Sequence, residues 1–265
     1  MTLAHREQGE ADAPVALLLH GYPESSYMWR ELMPAIADAG WRAVAPDLAG
    51  FGDSPPERPG TWERHVESIE RFRSELGLER VALAVHDWGG LIGLAWACEH
   101  PDAVSALVIS GTGFFHDGKW HGMGKVMRTE GEGEQLMENI DREGFAGMIG
   151  SVSSGIDDAA LDEYWRGYDG AERRQAHLDF YRSMDFEKLA RYEGGLAELG
   201  VPVLLLWGAE DPFAPVASAE RFERELPNTE LVVIEGAGHF VFEDAPGRAA
   251  SAVTEFLGRQ ARAPR

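Results

Sequence analysis

Cysteine is almost absent from this 265-residue sequence, which contains only Cys98. One cysteine cannot form an internal disulfide, so a disulfide-stapled framework is excluded. Cys98 lies in an apolar, helix-forming stretch, where a thiol packs as a small apolar group rather than reacting. Because nothing in this pattern requires an oxidising compartment, we expect a cytoplasmic protein.

Basic residues and long apolar runs are also scarce. There are 24 Lys and Arg residues against 45 Asp and Glu residues, which gives a formal net charge of -21. Such a charge repels nucleic-acid phosphates and anionic lipid surfaces, so neither nucleic acid nor a membrane is an expected partner. The first apolar run, residues 15–19, is far too short for a signal sequence or a membrane span.

What the sequence does contain is a regular alternation of short apolar runs and helical patterns. This alternation predicts an α/β fold with a mostly parallel central sheet and helices on both of its faces. The predicted strands are Val15–Leu19, Arg42–Ala45, Val81–Val85, Ala106–Ser110, Val203–Trp207 and Leu231–Ile234. The predicted helices are Tyr27–Ala39, Trp62–Leu76, Gly89–Glu99, Val216–Glu225 and Arg248–Arg259.

The alternation stops between Gly111 and Leu196. This span is rich in glycine, methionine, charged and aromatic residues, and it contains no clear strand pattern. We therefore predict a core domain formed by residues 1–112 and 197–265. A helical cap, or lid, domain is predicted to be inserted at 113–196.

The segment Val81–Gly90 has the pattern of a nucleophile elbow, a sharp turn between a strand and a helix. Its apolar strand runs directly into Asp87, and Gly89 and Gly90 then open a helix. A serine at such a turn suits attack on acyl carbons. A carboxylate is a weak nucleophile that can displace a good or activated leaving group from a saturated carbon. The segment therefore predicts Asp87 as the nucleophile of such a reaction.

A base and its orienting acid are predicted directly after the last two strands. His239 follows the strand Leu231–Ile234, among small residues that let the backbone bring the imidazole close. Asp211 lies in an Asp-Pro turn after the strand Val203–Trp207, and the adjacent Glu210 is the alternative. A histidine oriented by a carboxylate can deprotonate a water molecule.

Backbone donors for a developing oxyanion are predicted at Tyr22 and Trp88. Gly21 permits a close turn after the first predicted strand, and Pro23 restricts the backbone that follows. The N–H of Tyr22 is then free to point toward the nucleophile. Trp88 directly follows Asp87 at the start of a helix, where backbone N–H groups bind negative charge.

The chain resembles the α/β-hydrolase superfamily over nearly its whole length. Within it, the chain resembles the aspartate-nucleophile branch that holds epoxide hydrolases and haloalkane dehalogenases. The matching segments are His20–Arg30, Ala45–Ser54, His86–Gly90 and Gly236–Phe240. The chain order of nucleophile, acid and histidine is also the order of that fold.

This resemblance implies a two-step reaction. Asp87 would form an alkyl ester with the substrate, and His239 would then activate the water that hydrolyses the ester. The inserted span would be the family's cap domain. The implied partners are a small apolar organic substrate and water, no metal or organic cofactor is needed, and the chain would be a monomer or a homodimer.

The leaving group depends on the cap. An epoxide hydrolase, which converts an epoxide to a vicinal diol, needs acids for the ring oxygen, typically two cap tyrosines. The segment Leu178–Met184 resembles the Tyr-Arg cap segment of that family and nominates Tyr181. The residue that would supply the second acid is not assigned, and the candidates are Tyr164, Tyr168, His116 and His121. With Tyr181 in place, we predict an epoxide hydrolase.

A haloalkane dehalogenase, which releases halide and an alcohol, is the alternative. Its halide site usually combines the Trp after the nucleophile with an Asn at the position after His-Gly, where this chain has Tyr22, or with a cap Trp. Trp88 would fill the first role, and Trp120 or Trp165 the second. The predicted substrate-binding residues are accordingly Trp88, Trp120, Tyr164 and Trp165.

Two other classes are disfavoured. A serine esterase would need a serine at an elbow, and neither Ser54 nor Ser110 lies at one. A non-catalytic binding protein on this scaffold would usually have lost a member of the triad, and here each member has a candidate.

Overall fold

The computed structural model describes residues 2–261, and its centre is a seven-stranded sheet. The strands are β1 (His5–Gln8), β2 (Val15–Leu19), β3 (Arg42–Pro46), β4 (Val81–His86), β5 (Val104–Ser110), β6 (Val203–Gly208) and β7 (Thr229–Ile234). Their order in the sheet is β1-β3-β2-β4-β5-β6-β7. Every neighbouring pair is parallel except β1 with β3. The predicted α/β fold with a mostly parallel sheet is confirmed.

The six predicted strands are all present, with ends that differ by at most two residues from those expected. In β2 to β6 the apolar runs are continuous because helices cover both faces of the sheet, so successive side chains on either side are buried. In β4 and β6 every residue is buried. This buried centre holds the residues that follow these strands in fixed positions.

The edge strand β1 is the one strand of the described residues that the sequence pattern did not predict. All four of its residues are exposed, and none is apolar. It pairs antiparallel with β3, from His5 opposite Pro46 to Gln8 opposite Ala43. Since the backbone pairing and not apolar burial forms this strand, hydrophobic periodicity carries no signal for it.

Helices flank the sheet and fill the span between β5 and β6. They are α1 (Leu32–Asp38), α2 (Trp62–Glu75), α3 (Trp88–Glu99), α4 (Gly122–Arg128), α5 (Glu132–Asn139), α6 (Arg142–Gly150), α7 (Asp158–Trp165), α8 (Gly170–Ser183), α9 (Gly195–Glu198), α10 (Val216–Glu225), α11 (Val241–Asp244) and α12 (Pro246–Ala261). Beside the sheet, α1 packs against α12, and α2 packs against α3. Within residues 2–261, no helix is both long and apolar enough to cross a membrane.

The predicted helix Tyr27–Ala39 is wrong as a single element. The structure has a 3₁₀ turn at Ser26–Trp29 and begins α1 only at Leu32. Pro34 has no N–H to donate to the carbonyl four residues earlier, at Arg30, so a continuous helix cannot form there. The break leaves Arg30 between the two elements, where its guanidinium pairs with Glu243.

Helices α4–α9 are tied to the rest of the chain by polar contacts as well as by packing. The hydroxyl of Tyr22, which follows β2, lies 2.8 Å from the Tyr168 hydroxyl and 3.0 Å from Nδ1 of His177. The backbone N–H of Trp62, at the start of α2, donates to Oγ of Ser183 at 2.7 Å. These helices therefore lie against the turn that follows β2 and against the start of α2.

Candidate active site

The residues predicted to carry chemistry meet at one edge of the sheet. Tyr22 follows β2, Asp87 follows β4, Asp211 follows β6 and His239 follows β7. These four strands are parallel, so their carboxyl ends lie side by side. In open α/β sheets this edge is where ligands bind.

Asp87 occupies a strained turn between β4 and α3. Its φ is +48°, a left-handed value that is rare for a residue other than glycine. The turn is held in place because Thr112 donates a hydrogen bond of 2.7 Å from Oγ1 to the Asp87 carbonyl. A side chain at Gly89 would overlap the Leu19 backbone, which explains the need for glycine beside the turn. This geometry lifts the carboxylate above the sheet.

One backbone N–H donates to the Asp87 carboxylate, and a second follows Asp87 in the chain. The N–H of Tyr22 donates to Oδ1 at 2.8 Å. Trp88 is the first residue of α3, and the first N–H groups of a helix have no intrahelical acceptor. The structure thus brings both predicted donor residues to Asp87.

His239 lies between two carboxylates. Its Nδ1 is 2.9 Å from Oδ2 of Asp211, and its Nε2 is 3.5 Å from Oδ2 of Asp87. The other Asp211 oxygen accepts the N–H groups of Phe213 at 2.8 Å and of Ala214 at 2.9 Å. Asp211 is therefore fixed on both sides, whereas Glu210, the alternative, is exposed.

The charges of this trio shift the pKa values of its members. Burial alone would lower the pKa of His239, but the carboxylates of Asp211 and Asp87 outweigh it and raise that pKa to about 10. Burial alone would raise the pKa of Asp87. The hydrogen bond and charge of His239, with the Tyr22 N–H, outweigh burial and keep the Asp87 pKa below its usual value. The free site therefore holds a carboxylate beside an imidazolium at neutral pH.

Two cavities meet at Asp87 and His239. One has a volume of about 280 Å³ and is lined largely by apolar side chains. We call it the methionine cavity because Met123 and Met148 line it, together with Ile149, Val152 and Phe240. The other has a volume of about 230 Å³. We call it the indole cavity because Trp88 and Trp120 line it, together with Thr112, Lys119, Phe186 and Ser218. Asp87, His239, His121 and Phe213 line both.

Tyr181, the residue nominated as an acid, lines the methionine cavity together with Asp87. Its ring packs edge-on against the rings of Tyr22, at 5.0 Å between centroids, and Trp88, at 4.9 Å. Burial, and then the Asp87 charge, raises the pKa of Tyr181 well above its ordinary value. The hydroxyl therefore keeps its proton at neutral pH and is available as a donor.

The other three aromatic candidates have different surroundings. Trp120 lines the indole cavity and stacks on Trp88, with 5.6 Å between ring centroids. Tyr164 is buried and donates its hydroxyl to Glu243. Trp165 stacks on Tyr168. Neither Tyr164 nor Trp165 lines either of the two cavities at Asp87, so the structure does not bring these two residues to the site.

Among the candidates for a second acid, the structure brings His121 to both cavities. The hydroxyl of Tyr168 is instead occupied by Tyr22, and His116 is exposed and lines a separate cavity beside Tyr192. Phe213 is a further wall residue that sequence reasoning missed. It follows the Asp-Pro turn in a loop, where no periodic pattern indicates which way a side chain faces.

A layer of buried polar groups that sequence reasoning also missed lies behind His239. Burial, and then the charge of Glu243, raises the pKa of Glu24 well above its ordinary value. Burial and the charge of His239 lower the pKa of His86 to about 3. His86 is therefore neutral at pH 7, and the Glu24 pKa is shifted in the direction that favours its uncharged form. Among residues 2–261, no cluster of three or more His, Cys, Asp or Glu side chains could hold a metal ion.

A family model and two named relatives match this chain over most of its length. A family model described as the alpha/beta hydrolase fold matches residues 14–146 and 155–246. Epoxide hydrolase A of Mycobacterium tuberculosis is 29% identical and is aligned over 95% of this chain and 92% of its own length. A cis-3-alkyl-4-alkyloxetan-2-one decarboxylase of Xanthomonas campestris pv. campestris is 28% identical, over 98% of this chain and 93% of its own.

Solved structures are similar over the same length. The crystal structure of an ancestral haloalkane dehalogenase has a TM-score of 0.86 with this chain and is 30% identical. The match covers 98% of this chain and 96% of that one. Similarity over nearly the full length includes the span between β5 and β6 as well as the sheet.

Proposed function

Because this chain belongs to the α/β-hydrolase fold family, we propose that Asp87, His239 and Asp211 are its catalytic triad and that it hydrolyses epoxides to vicinal diols. The relatives reported above include both an epoxide hydrolase and a haloalkane dehalogenase, and enzymes of both kinds are hydrolases. Helices α4–α9 would serve as the cap, with the predicted bounds 113–196. The observation that carries the choice of epoxide is the protonated Tyr181 hydroxyl in the cavity that contains Asp87.

In the first step, Oδ2 of Asp87 attacks one ring carbon of the epoxide, and the bond from that carbon to the ring oxygen breaks. Oδ1 is held by the Tyr22 N–H, so it becomes the carbonyl oxygen of the new ester. The ring oxygen leaves as an alkoxide and takes a proton from Tyr181. This proton transfer removes the charge that would otherwise oppose ring opening.

In the second step, His239 takes a proton from water, and the hydroxide oxygen adds to the ester carbonyl carbon of Asp87. Formation of the ester has removed one of the two carboxylates that raise the His239 pKa, so that pKa falls. The imidazolium gives up its proton, which replaces the proton that Tyr181 transferred to the ring oxygen, and the neutral imidazole can then act as a base. The oxyanion on Oδ1 is stabilised by the N–H groups of Tyr22 and Trp88. Its collapse breaks the bond between this carbon and Oδ2, which leaves with the substrate, and the proton of the added hydroxyl passes to that oxygen. The diol is released and the carboxylate is restored.

We propose His121 as the second donor for the ring oxygen. Nδ1 of His121 accepts the N–H of Gly124 at 3.4 Å, at the start of α4. A neutral imidazole that accepts at Nδ1 carries its proton on Nε2. Burial lowers the pKa of His121, so the neutral form is present at pH 7. Since His121 lines both cavities at Asp87, that Nε2–H is available to an oxygen placed there.

Tyr22 supports an epoxide rather than a halide. It stands at the position where dehalogenases usually carry an Asn donor, and its hydroxyl is already paired with Tyr168 and His177. The name of the Xanthomonas relative also describes an oxetan-2-one, a strained oxygen-containing ring. Strain in a small ring promotes attack by a weak nucleophile such as a carboxylate.

Haloalkane dehalogenation is the second candidate, and one observation favours it. The indole rings of Trp88 and Trp120 stack in the cavity that contains Asp87, so two indole N–H donors could hold a halide there. The same Asp87 and His239 chemistry would then release halide and an alcohol.

A product assay separates the two candidates. With terminal and internal epoxides and with bromoalkanes of similar size, we expect diol formation and no halide release. Tyr181→Phe should lower epoxide kcat/KM at least about tenfold, which corresponds to ~1.4 kcal/mol of transition-state stabilisation. Tyr192 provides the matched control, because it lies by a different cavity, away from Asp87, and bonds to Glu99. Tyr192→Phe should keep the activity.

Halide release without diol formation would replace the epoxide assignment by the dehalogenase assignment. Unchanged epoxide turnover in Tyr181→Phe would remove Tyr181 from the reaction.

A further inference from the structure

We propose that the substrate is an internal epoxide, in which each ring carbon bears a carbon chain, and that one chain lies in the methionine cavity and the other in the indole cavity. This inference rests on the epoxide hydrolase function proposed above and specifies its substrate. It comes from the position of the nucleophile between two separate cavities.

The two cavities share the reacting groups but few other walls. Asp87 and His239 line both, as do His121 and Phe213. An epoxide ring placed for attack by Asp87 therefore has open space on two sides. A terminal epoxide, with a chain on one carbon only, would fill one side and leave the other to water.

Both cavities are large enough for a chain. Their volumes are about 280 Å³ and about 230 Å³, and one molecule of liquid water occupies roughly 30 Å³. Each side therefore accommodates a chain of several heavy atoms. Because apolar surface gains free energy in proportion to the area removed from water, a second chain strengthens binding of the substrate and of the transition state.

The walls of the cavities differ in chemistry, so the two chains should differ as well. Met123, Met148 and Ile149 give the methionine cavity flexible aliphatic walls, which suit an alkyl chain. Trp88, Trp120, Phe115 and Phe186 give the indole cavity a wall rich in aromatic side chains. Aromatic groups pack favourably against other aromatic rings, edge-on or offset, so this side suits an aryl or unsaturated group.

The test compares isomeric epoxides in the wild-type enzyme and in two variants with one cavity filled. Met148→Trp fills the methionine cavity, and Ser218→Phe fills the indole cavity. Ser251→Phe, on the exposed side of α12, is the control for a new aromatic residue outside both cavities. The substrates are a terminal alkyl epoxide and an internal epoxide with one alkyl and one phenyl group, and kcat/KM for diol formation is measured for each.

We expect the wild-type enzyme and Ser251→Phe to prefer the internal epoxide at least about tenfold. In each cavity-filling variant, kcat/KM for the internal epoxide should fall at least about tenfold. Its activity on the terminal epoxide should fall by less than about threefold, because a single chain can use the cavity that stays open. Retained terminal activity also shows that the variants are folded.

Two results would overturn the inference. One is a higher kcat/KM of the wild-type enzyme for the terminal epoxide than for the internal one. The other is that one cavity-filling variant loses kcat/KM on both substrates while the other variant loses it on neither. Diol formation in either case leaves the proposed function standing and rejects only the two-chain substrate. Failure to form a diol from any epoxide rejects the proposed function itself, and this inference with it.

Discussion

At the scale of single residues, His239 gains its chemistry from two carboxylates placed on opposite sides of one ring. Asp211 holds Nδ1 and Asp87 faces Nε2. The neighbouring His86 is buried and neutral at pH 7, so it adds no competing charge. Burial shifts the pKa of Glu24 upward, in the direction of its uncharged form. The charge on Asp87 therefore raises the pKa of His239, and in the proposed mechanism esterification of Asp87 is the event that removes this charge.

This arrangement makes the stability of the free enzyme depend on pH. The His239 pKa is raised to about 10 in the folded chain, and an unfolded histidine has a pKa of ~6.5. Stabilisation from this group is complete below pH ~6.5 and is lost as the pH rises toward 10. We expect the difference in unfolding free energy between wild type and His239→Gln to shrink by a few kcal/mol, to order of magnitude, over that range.

Thermal unfolding of both proteins at pH 6 to 10 measures this difference. Groups that titrate in both proteins cancel, so the remaining slope belongs to His239. Parallel stability curves for the two proteins would contradict the raised His239 pKa.

Much of the site could be predicted from the sequence, because the triad and its backbone donors follow strands in short motifs. Asp87, Asp211, His239 and the Tyr22 N–H meet as their positions after β4, β6, β7 and β2 indicated. Tyr164 and Trp165 were expected to bind substrate, yet Tyr164 donates to Glu243 instead. Composition marks the span between β5 and β6 as rich in aromatic residues, but only tertiary packing decides which ring faces a cavity.

At the scale of elements, the turn from β4 to α3 depends on close backbone approach. The positive φ of Asp87 and the bond from Thr112 fix its shape, and Gly89 lets α3 approach the Leu19 backbone. Conformational strain of this kind persists only where the surrounding packing holds it. The buried strands on either side supply that packing.

Gly89→Ala should therefore destabilise the protein by roughly 1–3 kcal/mol or more, since its Cβ would overlap backbone that cannot move aside. Gly258→Ala in α12 is the control, because a Cβ there meets no atom within 4 Å. It should be neutral or stabilising by up to ~1 kcal/mol, the usual gain of alanine over glycine in a helix. Chemical denaturation of both variants measures the two effects, and equal stabilities would refute the role assigned to Gly89.

The elements themselves were predictable to different degrees. Strands β2 to β6 were expected because burial on both faces demands continuous apolar runs, and β7 was expected from its apolar run although only its last residue is buried. The exposed strand β1 was not, because its residues are polar and only its pairing with β3 makes it a strand. The break before α1 depends on one missing N–H at Pro34, which apolar periodicity does not register.

At the scale of the whole molecule, the excess of negative charge acts against compactness. The formal net charge is -21, so the folded chain repels itself at low ionic strength. Individual exposed ion pairs, such as Arg259 with Glu230, contribute at most about 1 kcal/mol each and act in the opposite direction. We expect the unbalanced charge to dominate.

Added salt should consequently stabilise the enzyme. Between about 0.01 M and about 0.1 M salt the Debye length falls from ~30 Å to ~10 Å, which screens repulsion across the surface. A gain of about 1 kcal/mol would raise Tm by roughly 2–4 °C for a chain of this size class. Scanning calorimetry in NaCl and in KCl tests this, and a Tm that falls with both salts would show that ion pairs outweigh the net charge.

The most direct measurement is of the covalent state of Asp87 during the reaction. In His239→Gln the ester should form but not hydrolyse, because no base is left to activate water. After incubation with an epoxide, intact mass spectrometry should show a gain equal to the whole mass of the epoxide, located by peptide mapping at Asp87. The double variant Asp87→Asn, His239→Gln should show no gain. An unmodified Asp87 in the single variant, while the wild-type enzyme still forms diol from the same epoxide, would contradict nucleophilic attack by this carboxylate.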